Sequence, residues 1–235
     1  MTTHYPLFPS TRAPENVRPL PQRSRRRGSA MILKRLLDVA VSAVLLMLLS
    51  PVLLIVAGLV LAGLGAPVLF RQWRPGLGGR PFILFKFRTM TIDPRSDGER
   101  MTRLGSFLRS ASLDELPQLW NVLRGDMSLV GPRPLLMEYL PRYSPLQARR
   151  HEMEPGITGW AQVNGRNTVS WDERFRMDVW YIDHWSIGLD LKILLLTVGR
   201  VLRRSGVRAP GEVTMTEFLG TSAQAGSQDL PNGCD

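Results

Sequence analysis

A chain of 235 residues with 44% apolar content holds enough for one domain with its own core, or for a membrane element and a modest soluble domain. Its formal charge of +10 rests almost wholly on arginine, since only Lys34, Lys86 and Lys192 are lysines, and arginine suits phosphorylated substrates, acidic lipid headgroups or nucleic acid. The single cysteine, Cys234, excludes an internal disulfide, and three scattered histidines with no C-x-x-C pair exclude a histidine or cysteine metal cluster.

Residues 1–30 are rich in Pro, Ser and Arg and lack an apolar period, which predicts a disordered basic extension. Arg23, Arg25, Arg26, Arg27, Lys34 and Arg35 then lead into a hydrophobic segment, the arrangement of a polybasic arm against anionic headgroups. No zinc-finger, helix-turn-helix or aromatic RNA-binding pattern accompanies them, so nucleic acid is not the expected partner. Residues 39–70 carry no charge. As one helix they would reach about 48 Å, well beyond a hydrocarbon core of about 30 Å. Ser50 and Pro51 sit near the middle, where proline removes a helix hydrogen bond, and positive charge flanks both ends. Length, kink and charge together predict a re-entrant membrane helix over residues 31–66, bent at Ser50 and Pro51 with both ends on the cytoplasmic side. A single tilted span is the alternative. A signal peptide fits poorly, because the apolar run is too long and begins too late. Asp38 and Ser42 lie just inside the apolar edge, with Lys34 or Arg35 in helical reach, and read as an anchor at headgroup level.

Residues 67–74 and 81–88 read as two strands joined by the glycine-rich turn R-P-G-L-G-G-R. In P-F-I-L-F-K-F-R, alternation puts Phe82, Leu84, Lys86 and Arg88 on one face, which ends in two cations. Residues 91–103 are polar and predict a mobile loop. The amphipathic L-G-S-F-L-R then delivers Arg109 toward an acidic pair.

That pair lies in residues 112–134, S-L-D-E-L-P-Q-L-W-N-V-L-R-G-D-M-S-L-V-G-P-R-P. Ser112 and Glu115 have capping-box spacing and Pro117 suits a first turn, so a helix is predicted to begin there and to end at Gly125. Asp114 and Glu115 would then sit among unpaired N–H groups that favour the ionised carboxylate and would also receive a phosphate. The two prolines around Arg133 stiffen the loop that aims it. The plainer alternatives are helix-stabilising acids and a solvated turn.

Residues 135–140 and 146–153 predict short helices separated by Pro141 and Pro145. Residues 155–167, P-G-I-T-G-W-A-Q-V-N-G-R-N, offer Gln162, Asn164 and Arg166 on glycine-permitted turns, the equipment of a binding loop, with an irregular surface loop as the alternative. Ser170 and Glu173 form a second capping box opening a helix to about His184, with Phe175, Val179 and Ile182 on its core face. Residues 187–202 are apolar but short for a span and suit the membrane interface or packing on the first helix. From about 205 onward the chain is polar and net acidic, which predicts disorder.

Taken together, K-R-L-L-D at Lys34, S-P at Ser50, K-F-R-T-M at Lys86, the 112–134 and 155–167 stretches and D-V-W-Y-I-D at Asp178 closely resemble the bacterial sugar transferases, small monotopic phosphoglycosyl transferases that act on polyprenol phosphate. The resemblance covers roughly residues 31–204 with no departure at the key positions, and leaves both termini outside. It implies an α+β protein: a re-entrant helix-break-helix (31–66), then a small, mostly helical cytoplasmic catalytic domain (67–204) with a β-hairpin and interfacial amphipathic helices, at the inner membrane. It implies that Asp114 attacks the sugar-bearing phosphate of a UDP-sugar, releasing UMP, and that polyprenol phosphate then takes the phosphosugar. It further implies Mg²⁺ at the diphosphate, held through Asp114 or Glu115, and Lys86, Arg88, Arg109 and Arg133 around the phosphates. Hard-cation sites built on one or two carboxylates leave no stronger signature in a sequence. The sugar and the oligomeric state stay open, a homodimer included, and the alternative to the transferase is a non-catalytic membrane-anchored scaffold that binds anionic lipids.

Overall fold

The apolar segment folds as two helices, α1 (Ser29–Leu48) and α2 (Ser50–Leu64), bent by 63° across Leu49. Pro51 occupies the first turn of α2, where its missing N–H costs nothing, and the Ser50 hydroxyl donates to the Met47 carbonyl at 2.8 Å. The break thus falls where the sequence placed it. No single described helix is long and apolar enough to cross a membrane, and α1 and α2 meet that measure only as a bent pair. The computed structural model describes residues 28–92, 97–165, 169–202 and 217–220. The predicted basic extension lies outside them, except for residues 28–30, which open the first helix, and so do Arg166 and most of the tail from 205 onward.

Strands β1 (Leu69–Pro75) and β2 (Pro81–Phe87) pair antiparallel from Leu69 opposite Phe87 to Pro75 opposite Pro81. Gly78 and Gly79, both at positive φ, turn the hairpin. The buried His151 holds its tip, with Nδ1 3.3 Å from the Gly76 carbonyl. Burial and the nearby Arg150 charge push the His151 pKa down to about 3. The predicted loop at 91–103 contains the single turn α3 (Asp97–Arg100), and Met90 bridges to Met101. Helix α4 (Arg103–Ser110) is capped by Thr102, whose hydroxyl accepts from Gly105 N.

Helix α5 (Gln118–Arg124) ends at Gly125, φ 92°, as predicted. Its Asn121, fully buried, donates to the Ile83 carbonyl at 2.7 Å and accepts from Phe85 N at 3.1 Å, which fastens α5 to β2. Strands β3 (Ser128–Val130) and β4 (Gly156–Thr158) pair parallel. A Cβ on Gly131, just after β3, or on Gly156, the first residue of β4, would collide with the opposite backbone, so both positions require glycine. The two short helices predicted between these strands are tighter: a 3₁₀ turn at Met137–Arg142, then α6 (Pro145–Ala148) and a second 3₁₀ turn at Arg149–His151. Pro141 inside the first explains the change, since it cannot donate to an α-helical ladder.

Helices α7 (Trp160–Asn164), α8 (Trp171–Asp183) and α9 (Ile187–Leu202) complete the α+β architecture. Ser170 caps α8 as predicted, and Phe175, Val179 and Ile182 are buried. One apolar core joins β2, α5, β3, α8 and α9 through Leu84, Val122, Val130, Tyr181, Ile182 and Ile193. A smaller one joins Val56 and Val60 of α2 to Phe87 and Leu108.

Asp38 and Ser42 require a correction. They face inward, buried, not toward headgroups. The Asp38 carboxylate accepts from Leu129 N at 3.1 Å, while Lys34 donates to the Val130 carbonyl at 3.1 Å and to Asp190 of α9 at 2.6 Å. Tyr181 and Trp185 donate to the same Asp190. The reason is polar satisfaction: β3 exposes N–H and C=O groups toward α1, and a charged pair on the helix meets them out of water.

Candidate active site

The two acids sit in a 3₁₀ turn, Leu113–Glu115, between α4 and α5. The predicted capping box does not form. Ser112 adopts a left-handed conformation at φ 56°, and its side chain caps nothing, so the helix starts only at Gln118. A non-glycine residue there is strained, and the strain sits beside the ion pairs of Glu115. Glu115 is engaged from two sides. Lys86 Nζ donates to its Oε1 at 2.6 Å, and Arg133 reaches Oε1 at 2.5 Å and Oε2 at 3.4 Å. These two cations hold the Glu115 carboxyl well below the usual carboxylate range, overcoming its burial.

Asp114 behaves differently. It is buried, and no hydrogen bond engages its carboxylate among the described residues. Burial pushes its pKa up, opposed by the charges of Lys86, Arg109 and Arg133 and reinforced by Glu115. The expected lowering by helix N–H groups and dipole therefore occurs at neither acid: α5 begins only at Gln118, Glu115 is lowered by its two cations, and Asp114 is raised by burial. Arg109 Nε donates to Thr89 Oγ1 at 3.0 Å while its charge acts on Asp114. A small cleft beside the dyad is lined by Arg74, Leu84, Lys86, Gln118, Arg133 and Pro134.

Lys86, Arg109 and Arg133 thus gather at the dyad, and three other expected residues do not. Arg88 is buried and turned away, donating to the Ala66, Gly65 and Leu64 carbonyls at the end of α2. The strand stops at Phe87, so alternation no longer fixes its direction, and the unpaired carbonyls of a helix C-terminus capture it. On α7, Asn164 is exposed and donates to the Trp160 carbonyl, and the Gln162 amide, partly buried, has no hydrogen-bond partner among the described residues. No hydrogen bond joins either to the dyad among the described residues. Arg166 lies outside them.

Behind Arg133 stands a pair that sequence reasoning missed. Arg150 and Asp178, 1% and 2% exposed, form an ion pair at 2.8 Å. Arg150 also donates to the Arg133 carbonyl at 2.7 Å and to the Tyr143 hydroxyl at 3.1 Å. A separation of twenty-eight positions along the chain hides this pairing from any local pattern.

Residues 29–204 match the bacterial sugar transferase family. The chain belongs to that family. It is 54% identical over 197 residues to an uncharacterized sugar transferase, EpsL, of Bacillus subtilis, covering 81% of this chain and 98% of the relative. It is 47% identical over 187 residues to a UDP-glucose:undecaprenyl-phosphate glucose-1-phosphate transferase of Caulobacter vibrioides, covering 72% of this chain and 69% of the relative. A Klebsiella pneumoniae protein of the same designation is 46% identical over 187 residues, 73% of this chain, and there the match spans only 40% of the relative. This transferase thus spans about two-fifths of the length of some relatives it matches.

The donor set of the transferase site suits a hard cation. Among the described residues no cluster of three or more metal-ligating side chains exists. Among the described residues no hydrogen bond engages the Asp114 carboxylate, and Glu115 Oε2 has only the 3.4 Å contact to Arg133. One or two such oxygens beside substrate phosphates are what Mg²⁺ ordinarily takes from a protein, so the residues fit.

Proposed function

We propose that this sugar transferase moves a sugar phosphate from a UDP-sugar to undecaprenyl, or a similar polyprenol, phosphate through a covalent intermediate on Asp114. The observation that carries the reading is the contrast within the dyad: Glu115 is engaged by Lys86 and Arg133, while the adjacent Asp114 stays uncommitted in the same positive surroundings. An Asp114 oxygen attacks the sugar-bearing phosphorus, the bond from that phosphorus to the bridging oxygen breaks, and UMP leaves with the electron pair. An oxygen of the polyprenol phosphate then attacks the same phosphorus, the aspartyl bond breaks, and the product is a polyprenyl-diphosphate-linked sugar. Phosphoryl transfer depends chiefly on positioning and charge neutralisation. Arg133 and Arg109 bind the phosphate oxygens, while Lys86 and Arg133 keep Glu115 ionised and fixed. Mg²⁺, when bound by Asp114 or Glu115 Oε2, supplies further neutralisation of the diphosphate. The transferase relatives from Caulobacter and Klebsiella, named for this donor and acceptor class, support the reading.

The bent pair α1 and α2 carries exposed Leu36, Val44, Met47, Leu54 and Ile55, and α9 exposes Leu191 and Leu195. This surface supports a monotopic, re-entrant seat on the cytoplasmic face of the bacterial inner membrane, where a soluble nucleotide sugar meets a lipid carrier. The test is UMP release by detergent-solubilised protein with Mg²⁺ and undecaprenyl phosphate over a panel of UDP-sugars. Wild type is expected to release UMP with one donor and to acquire the mass of that phosphosugar when the acceptor is withheld. Asp114→Asn is expected to lose both, by at least about a thousandfold for a covalent nucleophile. Full turnover by Asp114→Asn would sink the covalent step.

A further inference from the structure

Residues 217–220 lie beyond the family-matched stretch and inside the segment the sequence predicts to be disordered, yet they are packed against the catalytic domain. Phe218 is fully buried, its ring 5.0 Å from Phe175, 5.6 Å from Tyr139 and Trp171, and 5.8 Å from Tyr143, centroid to centroid. Its backbone N–H donates to the Tyr139 hydroxyl at 3.3 Å. Arg142 clasps the segment, donating to the Glu217 carboxylate at 2.7 Å and the Phe218 carbonyl at 2.5 Å. This is a socket of four rings with a charged latch at its rim.

Two of those rings have a second duty. The Arg150 guanidinium lies over Tyr143 at 5.7 Å and over Phe175 at 5.4 Å, and it is Arg150 that holds the Arg133 carbonyl. Phe218 therefore backs the rings that seat Arg150, and Arg150 fixes the backbone of the residue that grips Glu115. Close-packed rings transmit a loss of volume to their neighbours, because a void removes contacts on one side only.

We propose that Phe218 is a positioning residue for Arg133, so that the docked segment 217–220 sets the grip of the site on the donor phosphates. The proposal rests on the reading of Arg133 as a phosphate clamp. That reading is checked by the donor kcat/KM of Arg133→Lys against wild type, whereas the proposal is checked by the donor KM of Phe218→Ala, so the two fail separately.

Full-length Phe218→Ala is compared with wild type for donor KM and for kcat per active site, the sites being counted by phosphosugar mass labelling. The expected result is a donor KM raised about tenfold, the loss of one well-aimed phosphate contact, with kcat per active site changed less than about threefold. Phe218→Leu is expected to keep most of the wild-type KM. If Phe218→Ala does not fold, Arg142→Glu opens the latch with the ring left in place. It is expected to raise KM in the same way, and Arg142→Glu with Glu217→Arg to restore at least half of the change. A KM within about twofold of wild type in folded Phe218→Ala, or a KM rise in Arg142→Glu that the charge exchange does not reverse, would overturn the proposal. So would a loss confined to the number of active sites, which is the mark of a purely structural ring.

Discussion

Arg133 reaches both oxygens of Glu115 with one planar group, and its backbone is held from behind by Arg150. A lysine keeps the charge and loses the fork. Arg133→Lys is therefore expected to lower kcat/KM for the donor about 10- to 100-fold, at nearly unchanged stability because the guanidinium is more than one-third exposed; steady-state kinetics beside a denaturant titration checks both. The residues that were legible in the sequence are those whose neighbours in the chain are also their neighbours in space. Asp114 and Glu115 share one turn, and two prolines fix the loop of Arg133. Arg88 was misplaced because the strand ends at Phe87, one residue short of it. Arg150, Asp178 and Phe218 were invisible because each finds its partner across the fold, where sequence spacing carries no information.

Between α1 and the rest of the molecule, the joint is polar. Lys34 is buried among Asp38, Asp190 and the Val130 carbonyl, and Arg35 donates to the Val122 and Leu123 carbonyls that end α5. Removing one member of such a set leaves the other charges buried and unpaired. Lys34→Met is expected to destabilise the protein by about 3 to 5 kcal/mol, with part of that recovered in Lys34→Met, Asp190→Asn; denaturation in a mild detergent measures both. At this scale the sequence was readable where a single residue type dictates geometry, as with Pro51 at the helix break, Gly125 at the end of α5 and Ser170 at the start of α8. It misled where two competing uses existed. Ser112 had capping-box spacing and instead took a left-handed turn, and Asp38 had the look of a headgroup anchor and instead met the edge of β3.

For the molecule as a whole, acid sensitivity should be visible before the carboxylates titrate. The His151 pKa is about 3 in the folded protein and near 6.5 when unfolded, so below pH 6.5 the unfolded chain binds a proton that the folded site refuses. Stability from this residue is complete above pH 6.5 and is lost as pH falls toward 3. Asp114 and Asp178, raised by burial, act in the opposite sense, so the comparison with a variant isolates the histidine. Wild type is expected to lose about 1.4 kcal/mol more than His151→Asn between pH 7.5 and 5.5, measured by denaturant midpoints at each pH. The α+β class and the bent helix pair were legible at this scale, whereas the order of assembly is written only in the contacts. Lys34 and Asp190 are separated by 156 residues. At a synthesis rate of about 5 to 20 residues per second, roughly 8 to 30 s pass between the emergence of the first and of the second. During that interval the ribosome has already released an apolar helix whose lysine has no counter-ion in α9. The α1 lysine therefore leaves the ribosome long before its polar socket is complete, and until the last helix arrives the nascent chain must keep Lys34 in water or against Asp38 alone.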